Sequence, residues 1–270
     1  MNLQHLINCC FFREEIEGVD RKYWVPALER ADLILTAISR KPGEYKLTDL
    51  CEVTAINKSS MFSLLRTMET LNWVKRDEQE AYFLGAGMAY LNTVFNESHK
   101  QNYNLVEQFL QESQESVKAI GETFQLSVLD RNEIIYLAKQ EGPSLVKLES
   151  SPGMRFPAHA TAMGKMMLAL LPPEELSRRY PDHQLSPVTP HTVTDWTPFT
   201  AVLAEIRLCG YAVDHEEIIE GICCAAAPVT DASGKVVAAV STSMLRHAYL
   251  DKQEAAIQEV IRLGKKLSRG

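Results

Sequence analysis

Apolar and polar positions alternate along this chain with two different periods, and the change of period divides it. Pro26 suits the first turn of a helix, and Leu28, Ala31, Ile34, Leu35 and Ile38 follow at helical spacing before RKPG closes the element. Thr48 is placed to cap a short second helix with Leu50 and Val53 inside. Asn57 is placed to cap a third, in which Met61, Leu64, Leu65, Met68 and Leu71 make one apolar stripe. The stretch WVKRDEQEAYFLG then alternates and turns through DEQE, the pattern of a small β-hairpin. From Ala86 to about Ile120 the period is helical again, in two pieces with a break near ESHKQN, and Gly121 is a natural stop.

Beyond Gly121 the period shortens to two. FQLSVLD and EIIYLAK read as strands around the turn RNE, and LVKLES follows. TAMGKMMLALL reads as a helix halted by Pro172 and Pro173, and PFTAVLAEIRLCG as another ending at Gly210. YAVDHEE, ICCAAAPVTD and KVVAAVSTSM are strands, the last two joined by ASG, and DKQEAAIQEVIRLGKKL is a closing helix. Three helices followed by a hairpin is the order of a winged helix-turn-helix. Helix pairs around a mainly antiparallel sheet give an α+β sensor-like second part.

Composition narrows the class. The 270 residues are 46% hydrophobic and 23% charged, ordinary values for a globular chain with real cores. The net charge of −7 is unevenly spread: residues 1–20 carry −3 and 88–270 carry −5, whereas 21–87 carry +1. A local basic surface is therefore compatible with the first part only. The six cysteines (Cys9, Cys10, Cys51, Cys209, Cys223, Cys224) show no disulfide-framework spacing, and MNLQHLINCCFFREE lacks the basic n-region of a secretory signal. No apolar run approaches the roughly 20 residues that cross a bilayer. These features fit a cytoplasmic protein with reduced thiols.

Candidate chemistry concentrates in a few places. With its stripe buried, the third helix presents Ser59, Phe62, Ser63 and Arg66 on the opposite face, and Lys75 and Arg76 open the hairpin. Hydroxyls near a helix start and nearby cations suit groove and phosphate contacts; a solvated face used for protein contact has the same pattern. His159 and Cys224 have the residue types of a base and a nucleophile, but no orienting third group accompanies them. Adjacent cysteines on a strand point to opposite faces, so Cys223 and Cys224 do not readily share a metal ion. Asp214, Glu216, Glu217 and Glu220 read as a solvated strand edge. Ser241 and Ser243 share one strand face near a thiol, either as satisfied core serines or as a cradle for a small carboxylate.

VPALERADLIL, LTDLCEVTAINKSSMFSLLRTMETLNWVKRDEQEAYFLG, FPAHATAMGKMMLA and GYAVDHEEIIEGICCAAAPVTDASGKVVAAVSTS together resemble the isocitrate lyase regulator (IclR) type of bacterial transcription factor, from about Val25 to Leu267. The resemblance implies an α+β chain. Residues 1–22 would be an extension, 23–85 a winged helix-turn-helix, 86–98 a linker helix, and 99–270 a GAF-like effector domain. It implies a homodimer or dimer of dimers that binds palindromic double-stranded DNA and a small-molecule effector, often a carboxylate. It implies no cofactor, no metal, no membrane and no catalytic residue.

Carried through the matched motifs, DNA contacts fall on Thr48, Lys58, Ser59, Ser60, Phe62, Ser63, Arg66, Lys75 and Arg76. Effector contacts fall on the helix-start amides of Ala160, Thr161 and Ala162, the polar groups of Asp214, Cys224, Ser241 and Ser243, and the apolar wall Leu145, Leu148, Phe156 and Ile222. Donors of this kind would hold a carboxylate without a buried lysine. Ser63 stands where the family usually has arginine, Ser60 where it has threonine, and Cys223 where a larger or basic residue is common. The operator sequence therefore cannot be borrowed from relatives, and Cys223 leaves room for a different ligand. An enzyme built on Cys224 and His159, or a thiol redox sensor using Cys224, is the rival reading.

Overall fold

The computed structural model describes residues 25–98, 100–143 and 150–268. The chain falls into two compact units that divide between Tyr103 and Asn104. The extension at residues 1–22, with Cys9 and Cys10, lies outside the described residues, as do Leu145 and Leu148.

In the first unit, α1 (Pro26–Arg40) has its proline in the first turn, where the missing amide costs nothing. Ala31, Ile34 and Ile38 are buried, but Leu28 is 63% exposed, because the core begins one turn later at Ala31. The second helix, α2 (Leu47–Thr54), starts before Thr48: the Asp49 carboxylate accepts from the Lys46 amide at 2.8 Å and closes the N-terminus instead. Leu50 is buried with Thr54, four residues on. Val53 is a residue out of phase with that face and stands 36% exposed, not inside as its hydrophobicity suggests.

Asn57 does cap α3 (Lys58–Thr70), its Oδ1 accepting from the Ser60 amide at 2.9 Å. Met61, Leu65 and Met68 form the buried stripe, each worth about 1.5–3 kcal/mol of burial. Leu71, expected in that stripe, is the C-cap residue and is 49% exposed, because the helical period ends at Thr70. Strands β1 (Val74–Arg76) and β2 (Tyr82–Leu84) pair antiparallel as the wing. Helix α4 (Ala86–Ser98) follows.

The division falls within α5 (Lys100–Ile120), and the second unit is organised by one sheet. Its strands are β3 (Thr123–Asp130), β4 (Glu133–Gln140), β5 (Arg155–Pro157), β6 (Ala212–His215), β7 (Ile222–Thr230) and β8 (Val236–Leu245). They lie in the order β5-β4-β3-β8-β7-β6 with every pairing antiparallel. Alternation assigns the faces. Cys223, Ala225 and Ala227 join Phe109 of α5 and Val260 and Leu263 of α9 (Arg246–Leu267) on one side. Ile222, Cys224 and Ala226 turn to the other, where α6 (Ala162–Ala169), α7 (Pro173–Arg179) and α8 (Trp196–Cys209) pack.

Periodicity did not reveal β5 or α7, each too short to show one, and α9 begins at Arg246 rather than Asp251. Among the described residues, no helix is long and apolar enough to cross a membrane.

Candidate functional sites

In the first unit the face of α3 opposite its buried stripe is open. Lys58, Ser59, Phe62, Ser63 and Arg66 are exposed and Ser60 is half-buried, while Thr48 is exposed in the first turn of α2. Several polar groups already have internal partners. Ser59 donates to Asn57 Oδ1 at 2.8 Å, and Ser63 donates to the Ser59 carbonyl at 3.1 Å. The Arg66 guanidinium lies 5.8 Å over the Phe62 ring and 3.5 Å from Glu69. On the wing, Arg76 sits between Glu80 (3.1 Å) and Glu69 (3.7 Å), which share its charge. Lys75 instead rests 5.5 Å over the Phe83 ring. Among the described residues no ion pair engages Arg30, Lys58 or Lys75. Arg30 is the cation that sequence reasoning missed: with Ala27, Ser59, Ser60, Ser63 and Leu64 it lines a depression of about 320 Å³ between α1 and α3.

In the second unit, four strands, β6, β7, β8 and β3, set a row of polar side chains across the sheet. Asp214 pairs in register with Cys224, Cys224 with Ser243, and Ser243 with Thr123, so all four share one face. The Cys224 thiol donates to Ser243 Oγ at 3.2 Å. Ser243 in turn donates to Gln125 Oε1 at 3.2 Å, and Ser241 donates to the same oxygen at 3.1 Å. Gln125 completes the chain by donating from Nε2 to Ser150 Oγ at 3.3 Å. Gln125 was not anticipated. The signal was available in TFQLSVLD, where Thr123, Gln125 and Ser127 put a polar group at every second position.

Phe156, Ala160, Ala162, Ile222 and Cys224 meet in one apolar cluster above this face. Thr161 caps α6, its Oγ1 accepting from the Gly164 amide at 3.1 Å. Of the three amides expected at this helix start, that of Thr161 is turned to the Ala158 carbonyl at 3.4 Å. A depression of about 470 Å³ lined by Tyr211 and α9, including Leu250 and Ile257, contains none of the expected effector residues.

Two expectations fail at the acidic run. Asp214 is 0% exposed and Glu217 6%, so these carboxylates are not a solvated edge. Nor is the site free of buried lysine: Lys165 of α6, 2% exposed, pairs with Glu217. A charge run is solvated only when no distant cation reaches it, and this one comes from a helix far along the chain. Asp214 Oδ1 accepts from the Glu217 amide at 2.7 Å, while Asp214 Oδ2 and Glu217 Oε2 are buried with no hydrogen-bond partner among the described residues. The Thr189 and Thr192 hydroxyls, each 2.7 Å from a carbonyl of this turn (Glu216 and Glu217), hold it in place.

Burial governs the titration here. It pushes the Asp214 carboxyl up to about 7 against the opposing pull of Lys165. It drives the Cys224 thiol well above its usual range, helped by Asp214, and holds His159 below the usual histidine value. His159 Nε2 lies 2.9 Å from the Ser186 carbonyl, which can only accept, so that nitrogen carries the proton. Cys224 and His159 are thus each bonded elsewhere, and neither activates the other.

An open helix face on a winged three-helix unit, in a chain that also carries a sheet unit with a buried polar row, defines a two-part DNA-binding sensor. Residues 27–78 match the IclR helix-turn-helix domain, and residues 98–269 match the bacterial transcriptional regulator IclR C-terminal domain. The HTH-type transcriptional regulator XynR of Escherichia coli is 31% identical over 251 residues, 91% of this chain and 96% of that protein. The HTH-type transcriptional repressor AllR of Klebsiella pneumoniae is 32% identical over 80% of this chain and 79% of its own length. The crystal structure of the Thermotoga maritima IclR superposes with a TM-score of 0.67 at 27% identity, over 90% of this chain and 99% of that one. The chain belongs to the IclR family and is a ligand-responsive, DNA-binding transcriptional regulator.

Proposed function

We propose that this regulator senses a small organic acid that also carries a hydrogen-bond donor, and that it works in the cytoplasm as a homodimer or dimer of dimers on a palindromic operator. Residues 23–85 bind DNA, 86–98 link, and 99–270 bind the effector, whose occupancy shifts operator affinity by population shift. The observation that carries the reading is the buried polar row. Ser241 and Ser243 place two hydroxyls side by side in the row, both now bonded to Gln125, and Asp214 at its far end has a buried oxygen without a donor among the described residues. A buried anion needs several donors to offset its lost hydration, and a buried acceptor needs a donor from its ligand. Phe156 and Ile222 supply the apolar contact between.

The protein is not an enzyme on this reading. The raised Cys224 thiol is the reverse of an activated nucleophile or redox thiol, and His159 spends its Nε2 proton on Ser186. The test is a thermal-shift screen of small acids with and without hydroxyl groups, since a ligand bound only by the native state raises the melting temperature. Each stabilising acid is then added to the protein bound to its own upstream DNA. If no acid stabilises, or if a stabilising acid leaves DNA affinity unchanged, the reading fails.

A further inference from the structure

Both serine hydroxyls that would receive an acid are already spent on one atom, Gln125 Oε1. Each hydroxyl has a single proton to donate, so the serines as they stand have none left for an anion. The carbonyl oxygen of the amide occupies the position of an acceptor that a carboxylate oxygen would take. Gln125 itself is 1% exposed and lies on β3 in register with Ser241, so it cannot withdraw into solvent.

We propose that Gln125 is an effector-contacting residue whose side-chain amide turns over when an acid binds. The proposal rests on the effector site described above. The amide end of glutamine is two-fold in shape, so a half-turn about its last torsion exchanges oxygen and nitrogen with little change of volume. In the arrangement the structure shows, Ser241 and Ser243 donate to Oε1, and Nε2 donates to Ser150 Oγ. After the turn, Ser150 Oγ donates to Oε1, Nε2 faces the row, and Ser241, Ser243 and Nε2 all donate to the incoming carboxylate. In the first state both serine protons and one Nε2 hydrogen have acceptors, and in the second the Ser150 proton, both serine protons and one Nε2 hydrogen do, so the turn leaves no fewer donors paired than before. Gln125 therefore has two roles: it accepts from both serines in one arrangement, and it adds a third donor to the acid in the other. A residue that only accepted would compete with every acid.

The two roles are separated by substitution. The probes are acetate, lactate, benzoate and 4-hydroxybenzoate, titrated calorimetrically at millimolar concentration against the full-length protein. For whichever binds most tightly, Gln125→Met, which neither donates nor accepts, weakens binding about tenfold, the scale of one hydrogen bond to a charged group. At alkaline pH, where its carboxyl is ionised, Gln125→Glu weakens it further, because a carboxylate cannot turn into a donor. Equal or tighter binding by Gln125→Met overturns the proposal while leaving the effector site standing. Wild-type affinity in the Ser241→Ala/Ser243→Ala variant, or no binding of any probe by the wild type, overturns the effector site itself and this proposal with it. Should Gln125→Met fail to fold, the ¹⁵N resonance of the Gln125 amide in the wild-type protein decides. It moves on saturation with the acid if the amide turns, and an unmoved signal overturns the proposal.

Discussion

Lys165 and Glu217 meet as an ion pair with side chains only 3% and 7% exposed, joining α6 to the turn between β6 and β7. The pair ties the helix that Thr161 caps to the turn whose amide bonds Asp214. Removing one partner leaves an uncompensated charge out of water. Lys165→Met is expected to destabilise the protein by about 3–5 kcal/mol, and Lys165→Met/Glu217→Leu by clearly less than the sum of the single changes. Urea unfolding of the four proteins checks this. Additive losses would show that the two charges do not depend on each other.

Gly164 holds α6 against the preceding turn. A Cβ there would lie 2.1 Å from the Ala158 carbonyl oxygen and 2.4 Å from the Ala158 Cα, both backbone atoms that have no rotamer to yield. Gly164→Ala is expected to cost about 1–3 kcal/mol or more through forced backbone movement. Calorimetric melting is the measurement, and a variant that melts with the wild type would mean that the helix shifts freely.

What was legible in the sequence was local. Asn57 announces its cap, Met61, Leu65 and Met68 their stripe, and ICCAAAPVT its alternation, because each depends on neighbours within a turn or a strand. Val53 and Leu71 are exposed despite their hydrophobicity, because the helical phase, or the end of the helix, decides exposure there. The Lys165–Glu217 pair and the Gln125–Ser241–Ser243 bonds lie beyond local reasoning: their partners are 52, 116 and 118 residues apart. Strand alternation alone puts Ser241 and Ser243 on one face, but only the pairing of β3 with β8 brings Gln125 to them.

Asp214 should make stability depend on pH in a defined direction. Its carboxyl is raised from 3.8 to about 7 in the folded protein, so between those values the native state holds a proton that the unfolded chain has released. The stabilisation is fully present below pH 3.8 and is lost as pH rises through about 7. At about 1.4 kcal/mol per pH unit, the loss is at most about 4 kcal/mol. Asp214→Asn cannot ionise, so its stability relative to the wild type should improve over this window. Urea midpoints across the window, taken for both proteins, measure it. A constant difference would place the ionisation of Asp214 outside the window.

Lys75 and Arg76 are adjacent on the wing yet should not contribute equally to DNA binding. The Arg76 guanidinium is shared by Glu80 and Glu69, whereas among the described residues Lys75 has only the Phe83 ring beneath it. A cation that reaches a phosphate releases condensed counterions, so losing one lowers the slope of log affinity against log salt by about 0.9. Lys75→Ala is expected to show that change, weakening the protein's own upstream DNA and an unrelated duplex alike. Arg76→Ala should change the slope little, because its charge is already neutralised within the protein. Ser63→Ala should behave differently from both. Its hydroxyl bonds the Ser59 carbonyl in the free protein and sits on the exposed face of α3, where a contact to a base edge discriminates among sequences. Binding isotherms over a salt series on the two duplexes separate the cases. An equal slope change for Arg76→Ala and Lys75→Ala would mean that the Glu69 and Glu80 pairs open when DNA arrives. The electrostatic footprint would then have to be redrawn to include both cations.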